Sequence, residues 1–146
     1  TVFMGVTAHE INSDKSEHFM QLMQGLLDYC YAPQYWNDNQ GRTHTVVSPL
    51  RGRTKAQWVA DYLETELPVD WLLMTVSCYD DTDRHCGRCP SCFKRWVALT
   101  VNGLVDDFKY DPRAWGRREG ILDKCRDGTY HQERAKEILQ AYGESA

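Results

Sequence analysis

Four cysteines in Cys78-Tyr-Asp-Asp-Thr-Asp-Arg-His-Cys86-Gly-Arg-Cys89-Pro-Ser-Cys92 constrain this 146-residue chain more tightly than any other feature of its sequence. Two residues between successive cysteines let neighbouring thiolates reach one ion from a tight turn, and Gly87 supplies the backbone freedom that turn needs. Cys78, at the end of a predicted strand, offers the fourth sulfur. Four sulfurs at ~2.3 Å complete a structural zinc site and leave no open catalytic position. Such an ion anchors the loop between strand and helix, so metal binding is partly folding energy. The same residues also fit free or redox-active thiols, or an iron–sulfur cluster. The usual ferredoxin run has its fourth cysteine downstream of the triplet; here it lies upstream, which favours zinc. His85 can replace one sulfur but competes for reach with the adjacent Cys86. Cys30 and Cys125 stand apart in sequence and are expected to be buried in apolar packing.

The remaining composition narrows the class. Hydrophobic residues at 42% and charged residues at 26% are ordinary globular usage, and 146 residues suit one domain with a real core. Seventeen Lys+Arg against 21 Asp+Glu give a formal charge of −4, which disfavours a dedicated DNA-binding domain. No apolar run approaches the ~20 residues that cross a bilayer, so no membrane partner is expected. The N-terminal Thr1-Val2-Phe3-Met4-Gly5 lacks the basic-then-apolar pattern of a secretory signal. A cytoplasmic setting is therefore expected, where six cysteines point to metal or redox chemistry before disulfides. Five Trp and eight Tyr are read as core and interface packing, with stacking on a purine-like ligand as the alternative.

Hydrophobic spacing predicts strands and helices in alternation. Val2–Ala8 suits a buried strand, and Phe19, Leu22, Met23, Leu26 and Leu27 make an amphipathic helix that Asp14 can cap, with Glu17 completing a capping box. Residues 31–43 have loop composition, and Thr43–Ser48 resembles a second strand stopped by Pro49. Thr54 reads as the cap of a helix that buries Ala56, Val59, Ala60 and Leu63 and is ended by Pro68. Trp71–Val76 suits a third buried strand. Pro90 opens, and Gly103 closes, a helix that is apolar nearly all round. Two further helices are predicted in the tail. One opens at Asp111-Pro112, and the other opens near Thr129, presents Ala135, Ile138, Leu139 and Tyr142, and closes at Gly143. The pattern predicts an α/β domain with a parallel sheet.

Three islands carry a resemblance. Phe3-Met4-Gly5-Val6-Thr7-Ala8, followed by the acidic Glu10, is similar to a family strand ending in Gly-Ala-Asn-Ala. Pro49-Leu50-Arg51-Gly52-Arg53-Thr54-Lys55-Ala56 matches a Pro-Leu-x-x-x-(Thr/Ser)-Lys-Ala segment. Thr75-Val76-Ser77-Cys78-Tyr79, then Cys86 to Cys92 and the trailing Arg95, matches a zinc loop. Together they resemble the C-terminal part of the 7-cyano-7-deazaguanine synthase family, the nitrile-forming ligases of queuosine biosynthesis. The resemblance covers residues 1–101 and implies a partial Rossmann-like (adenine nucleotide alpha hydrolase-like) parallel sheet with flanking helices. The chain is accordingly divided as a single domain, 1–146: a synthase-like core (1–101) with its zinc loop at 78–92, and a helical tail (102–146).

The departures are specific. The family's Ser-Gly-Gly-x-Asp-Ser loop, which holds the pyrophosphate of ATP, is absent from these residues, and Gly52-Arg53-Thr54-Lys55 is not a Walker A sequence. Only Asn12-Ser13-Asp14-Lys15 stands where the family has Tyr-Pro-Asp-Cys. In the family, the resemblance implies, ATP activates the carboxylate of 7-carboxy-7-deazaguanine, ammonia forms the amide, and a second activation dehydrates it to the nitrile. Lys55 would offset phosphate charge, Arg95 would bind a carboxylate or phosphate, and Glu10 and Asp14 would orient ligand or water. The five histidines pair with no Ser or Asp at triad spacing.

Two functions fit these residues. One is part of that ATP-dependent ligase, with the ATP loop on another polypeptide or removed. The other is a catalytically inactive, zinc-stabilised binding or regulatory module derived from the family. A truncated sheet would leave an unpaired edge for a protein partner or a second copy. Arg84, Arg88, Lys94 and Arg95, with Arg113, Arg117 and Arg118, could meet nucleic-acid phosphates, or simply offset the Asp80, Asp81 and Asp83 run.

Overall fold

The computed structural model describes residues 1–8, 13–33, 43–80 and 83–144. Chain packing groups them into two compact units, Thr1–Thr54 and Lys55–Ala146. The sequence division after residue 101 falls inside the second unit.

In the first unit, β1 (Val2–Phe3) and β2 (Val46–Val47) pair in parallel, with Val2 opposite Val46 and Phe3 opposite Val47. Between them in sequence runs α1 (Glu17–Cys30). The α/β layering and the parallel sheet are as the sequence pattern predicts, but the strands are far shorter. Met4 N–H donates to Val47 O, and there the ladder ends. Pro49 follows, and a proline has no N–H to continue it. Val6, Thr7 and Ala8 stay buried all the same. Gln24 fastens α1 to β2 from both ends of its amide: Nε2 donates to His44 O at 2.6 Å and Oε1 accepts from Val46 N at 2.8 Å.

Two expectations for α1 are corrected. Its cap is Ser16, whose hydroxyl accepts from Phe19 N at 3.0 Å; Asp14 lies in a preceding 3-10 turn, Ser13–Lys15. Its apolar face is narrower than predicted. Phe19, Met23 and Leu27 are half-buried, whereas Leu22 and Leu26 are exposed, because two strands of two residues present too little surface to cover five side chains. Cys30, expected in apolar packing, is exposed at the helix end. Most of the predicted 31–43 loop (34–42) lies outside the described residues.

The second unit is helical. It contains α2 (Lys55–Leu63), α3 (Val69–Leu73), α4 (Pro90–Val101), α5 (Pro112–Arg118), α6 (Ile121–Arg126) and α7 (Gln132–Ala141). α4 is the spine. One side packs Ala98 and Leu99 against Ala56 and Val59 of α2. The other packs Phe93 and Val97 against Leu122 and Cys125 of α6 and Ala135, Ile138 and Leu139 of α7. Asn102 closes the first contact, donating to Ala56 O and Ala98 O. Gly116 of α5 lets the tail dock, since a Cβ there would sit 2.4 Å from the Phe93 ring and 2.7 Å from the Tyr142 hydroxyl.

The third strand is not formed. Trp71–Val76 instead begins within α3, seeded by Pro68 at φ −61°, and Pro68 therefore opens a helix rather than ending α2. Trp71, Met74 and Val76 are exposed, not buried. A six-residue apolar run fits helix and strand alike, and what decides is whether a ladder partner exists; among the described residues Thr75–Tyr79 has none. The α4 prediction holds at both ends: Pro90 is its first residue and Gly103 follows it at φ +72°. The tail has three helices, not two, because Gly120 at φ +64° separates α5 from the short α6. No described helix is long and apolar enough to cross a membrane.

Candidate metal centre

Three pieces of chain deliver the four cysteines. Cys78 stands in the segment without helix or strand that follows α3. Cys86 lies in a loop turned by Gly87 at φ +73°, a conformation that favours glycine. Cys89 is the N-cap of α4, and Cys92 sits in that helix's first turn. Pro90 at the first helical position fixes where the turn begins, so Cys89 and Cys92 fall on one side of it.

All four sulfurs lie within 4.8 Å of one another. Cys86 Sγ and Cys92 Sγ are 3.8 Å apart. A tetrahedron of thiolates at ~2.3 Å from a central ion has an edge of about 3.8 Å, so the cluster has the dimensions of a four-sulfur metal site. Backbone N–H groups surround it. Asp80 N and Cys86 N donate to Cys78 Sγ, Arg88 N to Cys86 Sγ, and Cys92 N to Cys89 Sγ, each at 3.3–3.4 Å. These donors stabilise sulfur in its charged form, which is the form that binds metal.

The thiols differ in acidity. Burial raises Cys78, but the Cys86 and Asp80 amides outweigh it and bring the thiol down to about 7. Burial pushes Cys86 up to about 11 despite the Arg88 amide, and burial with the neighbouring sulfurs raises Cys92, which is fully enclosed. One thiol is thus ready to ionise near neutrality, and the buried ones hold their protons until a cation replaces them. Cys125, as expected, is buried in the tail core, and burial raises it to about 11.

His85 is not part of the cluster. Its Nε2 lies 3.8 Å from Asp106 Oδ2, its Nδ1 is buried without a hydrogen-bond partner, and its ring tilts against Phe108. Arg95, expected to bind a ligand, is 6% exposed and turned inward. Its Nε donates to Asp106, one terminal nitrogen to Thr75 Oγ1 at 2.7 Å, and the other to Leu73 O at 2.8 Å. In this arrangement it fastens α4 to the segment that leads to Cys78. Lys55 is the first residue of α2, beside the Asn102 end of α4, about two helical turns from Arg95. Asp14 is exposed in the first unit, and Glu10 lies outside the described residues.

The basic residues have local partners. Arg84 pairs with Asp107, Arg113 with Asp111 and Arg118 with Glu119, while Arg88 and Arg117 lie over the rings of Tyr110 and Tyr142. Among the described residues, Asp107, Asp111 and Glu119 are acids that pair with these arginines. The sequence reasoning missed Asp106, because an Asp-Asp pair after a helix-closing glycine has no motif spacing.

A family model described as queuosine biosynthesis protein QueC matches residues 1–103. The 7-cyano-7-deazaguanine synthase of Sulfolobus acidocaldarius is 30% identical over 98 residues, which are 67% of this chain and 19% of that protein. That of Methylobacillus flagellatus is 44% identical over 77 residues, 51% of this chain and 32% of the relative. That of Brucella ovis is 38% identical over 66 residues, 45% and 27% respectively. The chain therefore matches between about a fifth and a third of the length of these curated relatives. No solved structure matches it.

Proposed function

The chain belongs to the QueC family of queuosine biosynthesis proteins, and from that membership we propose that it is the zinc-bearing part of a 7-cyano-7-deazaguanine synthase. Such an enzyme would convert 7-carboxy-7-deazaguanine to the nitrile with ATP and ammonia. The phosphate-binding loop would come from polypeptide outside these 146 residues. One observation carries the proposal: four sulfurs within 4.8 Å of one another, on a sequence that matches the family over residues 1–103.

Zinc is the ion that best suits a closed set of four thiolates, two of them buried, and when bound it supplies a cross-link with no free coordination position. Its part is to hold the loop between the Cys78 segment and α4. Lys55, the first residue of α2, would offset phosphate charge together with the positive end of that helix's dipole. Arg95 contributes by position, since its donors are turned inward.

The test combines metal analysis with reconstitution. The purified chain should contain one zinc per molecule. Incubated with 7-carboxy-7-deazaguanine, ATP and ammonia, it should form the nitrile only when mixed with a polypeptide bearing the Ser-Gly-Gly-x-Asp-Ser loop, as read by mass spectrometry. A zinc-loaded chain that yields no nitrile in that mixture would refute the ligase assignment and leave a zinc-stabilised binding module.

A further inference from the structure

Residues 104–110 lie beyond the part of the chain that matches the family, yet they run along the cysteine loop and grip it at five points. The segment leaves α4 through Gly103, with Leu104 N donating back to Leu99 O at 2.9 Å. Asp106 Oδ2 accepts from Arg95 Nε and lies 3.8 Å from His85 Nε2; its side chain is 11% exposed. Asp107 pairs with Arg84 at 3.1 Å. Phe108 forms a parallel bridge with His85, closed by Lys109 N donating to His85 O at 2.8 Å. Tyr110 packs its carbonyl so close to Gly87 that a Cβ there would sit 1.7 Å from the oxygen. The Arg88 guanidinium lies 3.2 Å over the Tyr110 ring.

These contacts fall beside each piece of chain that carries a thiolate. Arg95 is on the helix of Cys92, and its other nitrogens hold Thr75 and Leu73, ahead of Cys78. His85 and Gly87 flank Cys86, and Arg88 precedes Cys89. The Asp106 side chain faces both Arg95 and His85, so it joins the helix to the loop.

We propose that residues 104–110 form a latch over the metal loop, that Asp106 is its positioning residue, and that the latch governs how fast the metal leaves. The inference rests on the four cysteines holding zinc. A thiolate site loses its ion by stepwise detachment of ligands, and a chelator can compete only while the loop is open. Elements held in place re-form the site before the ion escapes; loosened ones do not.

The experiment follows transfer of zinc from the loaded chain to a chromophoric chelator. Asp106→Asn should release zinc at least tenfold faster than the unaltered chain, whereas Asp107→Asn, which removes an exposed pair, should stay within twofold. Val97→Ala, a core change on the side of α4 that packs against α6 and α7, controls for general loss of stability and should also stay near the unaltered rate. Cobalt-loaded Asp106→Asn should keep the unaltered charge-transfer spectrum, showing that all four sulfurs still bind. Release from Asp106→Asn at the unaltered rate overturns the latch, as does equal acceleration by Val97→Ala. Absence of zinc from the unaltered chain instead overturns the metal assignment beneath it.

Discussion

Cys89→Ser separates the metal from the helix it caps. Cys89 has two local duties, offering a sulfur to the cluster and accepting from Cys92 N at 3.4 Å as the N-cap of α4. Serine is among the favoured N-caps, so the substitution keeps the cap and removes a thiolate. Cys92→Ser would be a poorer choice, because it places a hydroxyl where the side chain is fully enclosed. An ion present at ~1,000 times its dissociation constant stabilises the folded state by about 4 kcal/mol. The helical unit Lys55–Ala146 is of a size whose melting point moves about 4–8 °C per kcal/mol. Removing the metal should therefore lower its melting temperature by roughly 15–30 °C. Thermal melts followed by circular dichroism, with zinc and with chelator, give four values. The unaltered chain should fall by that amount on chelation. Cys89→Ser should start low and barely respond. A chelator-insensitive melt of the unaltered chain, or a variant that responds as fully as its parent, would refute the staple.

Gly116→Ala should destabilise the helical unit by about 1–2 kcal/mol, because overpacking against Phe93, itself held by Trp96 and Trp115, exceeds the ~1 kcal/mol that alanine gains over glycine within a helix; urea unfolding would show it, and a stabilised variant would contradict it. Ser16→Ala should cost about 1 kcal/mol and shorten α1 at its start, read as lost amide protection at Phe19. Asp111 is held below its ordinary 3.8, first by the hydrogen bond from the Arg113 side chain. A depressed carboxylate contributes fully above its unfolded value and loses that contribution as pH falls through the folded one. The stability gap between the parent and Asp111→Asn, which keeps an N-cap amide, should be level above pH ~4 and close below it. A gap that widened in acid would reverse the sign.

Local rules were legible wherever a residue's effect is confined to its own turn. Pro90 and Gly103 bounded α4, Asp111 capped α5, and Ala135, Ile138 and Leu139 marked the buried face of α7. The cysteine spacing marked the cluster before any coordinates, since loops of two residues leave thiolates little choice but to converge. The misreadings share a cause. Trp71–Val76 as a strand, Leu22 and Leu26 as core, and Cys30 as buried each depended on a surface elsewhere in the chain to cover them.

Chain order and residue chemistry, then, were enough to name the metal-ligand candidates, the parallel α/β pattern of the first unit and the kinship of residues 1–101, because covalent spacing and capping act over a few residues. Tertiary packing alone decided that Arg95 turns inward to Asp106, that His85 stands outside the sulfur cluster, and that residues 104–110 strap the loop. Those contacts join positions up to 23 apart in sequence, as Arg84 meets Asp107. No periodicity records such pairings, and only the folded chain brings them within reach of a hydrogen bond.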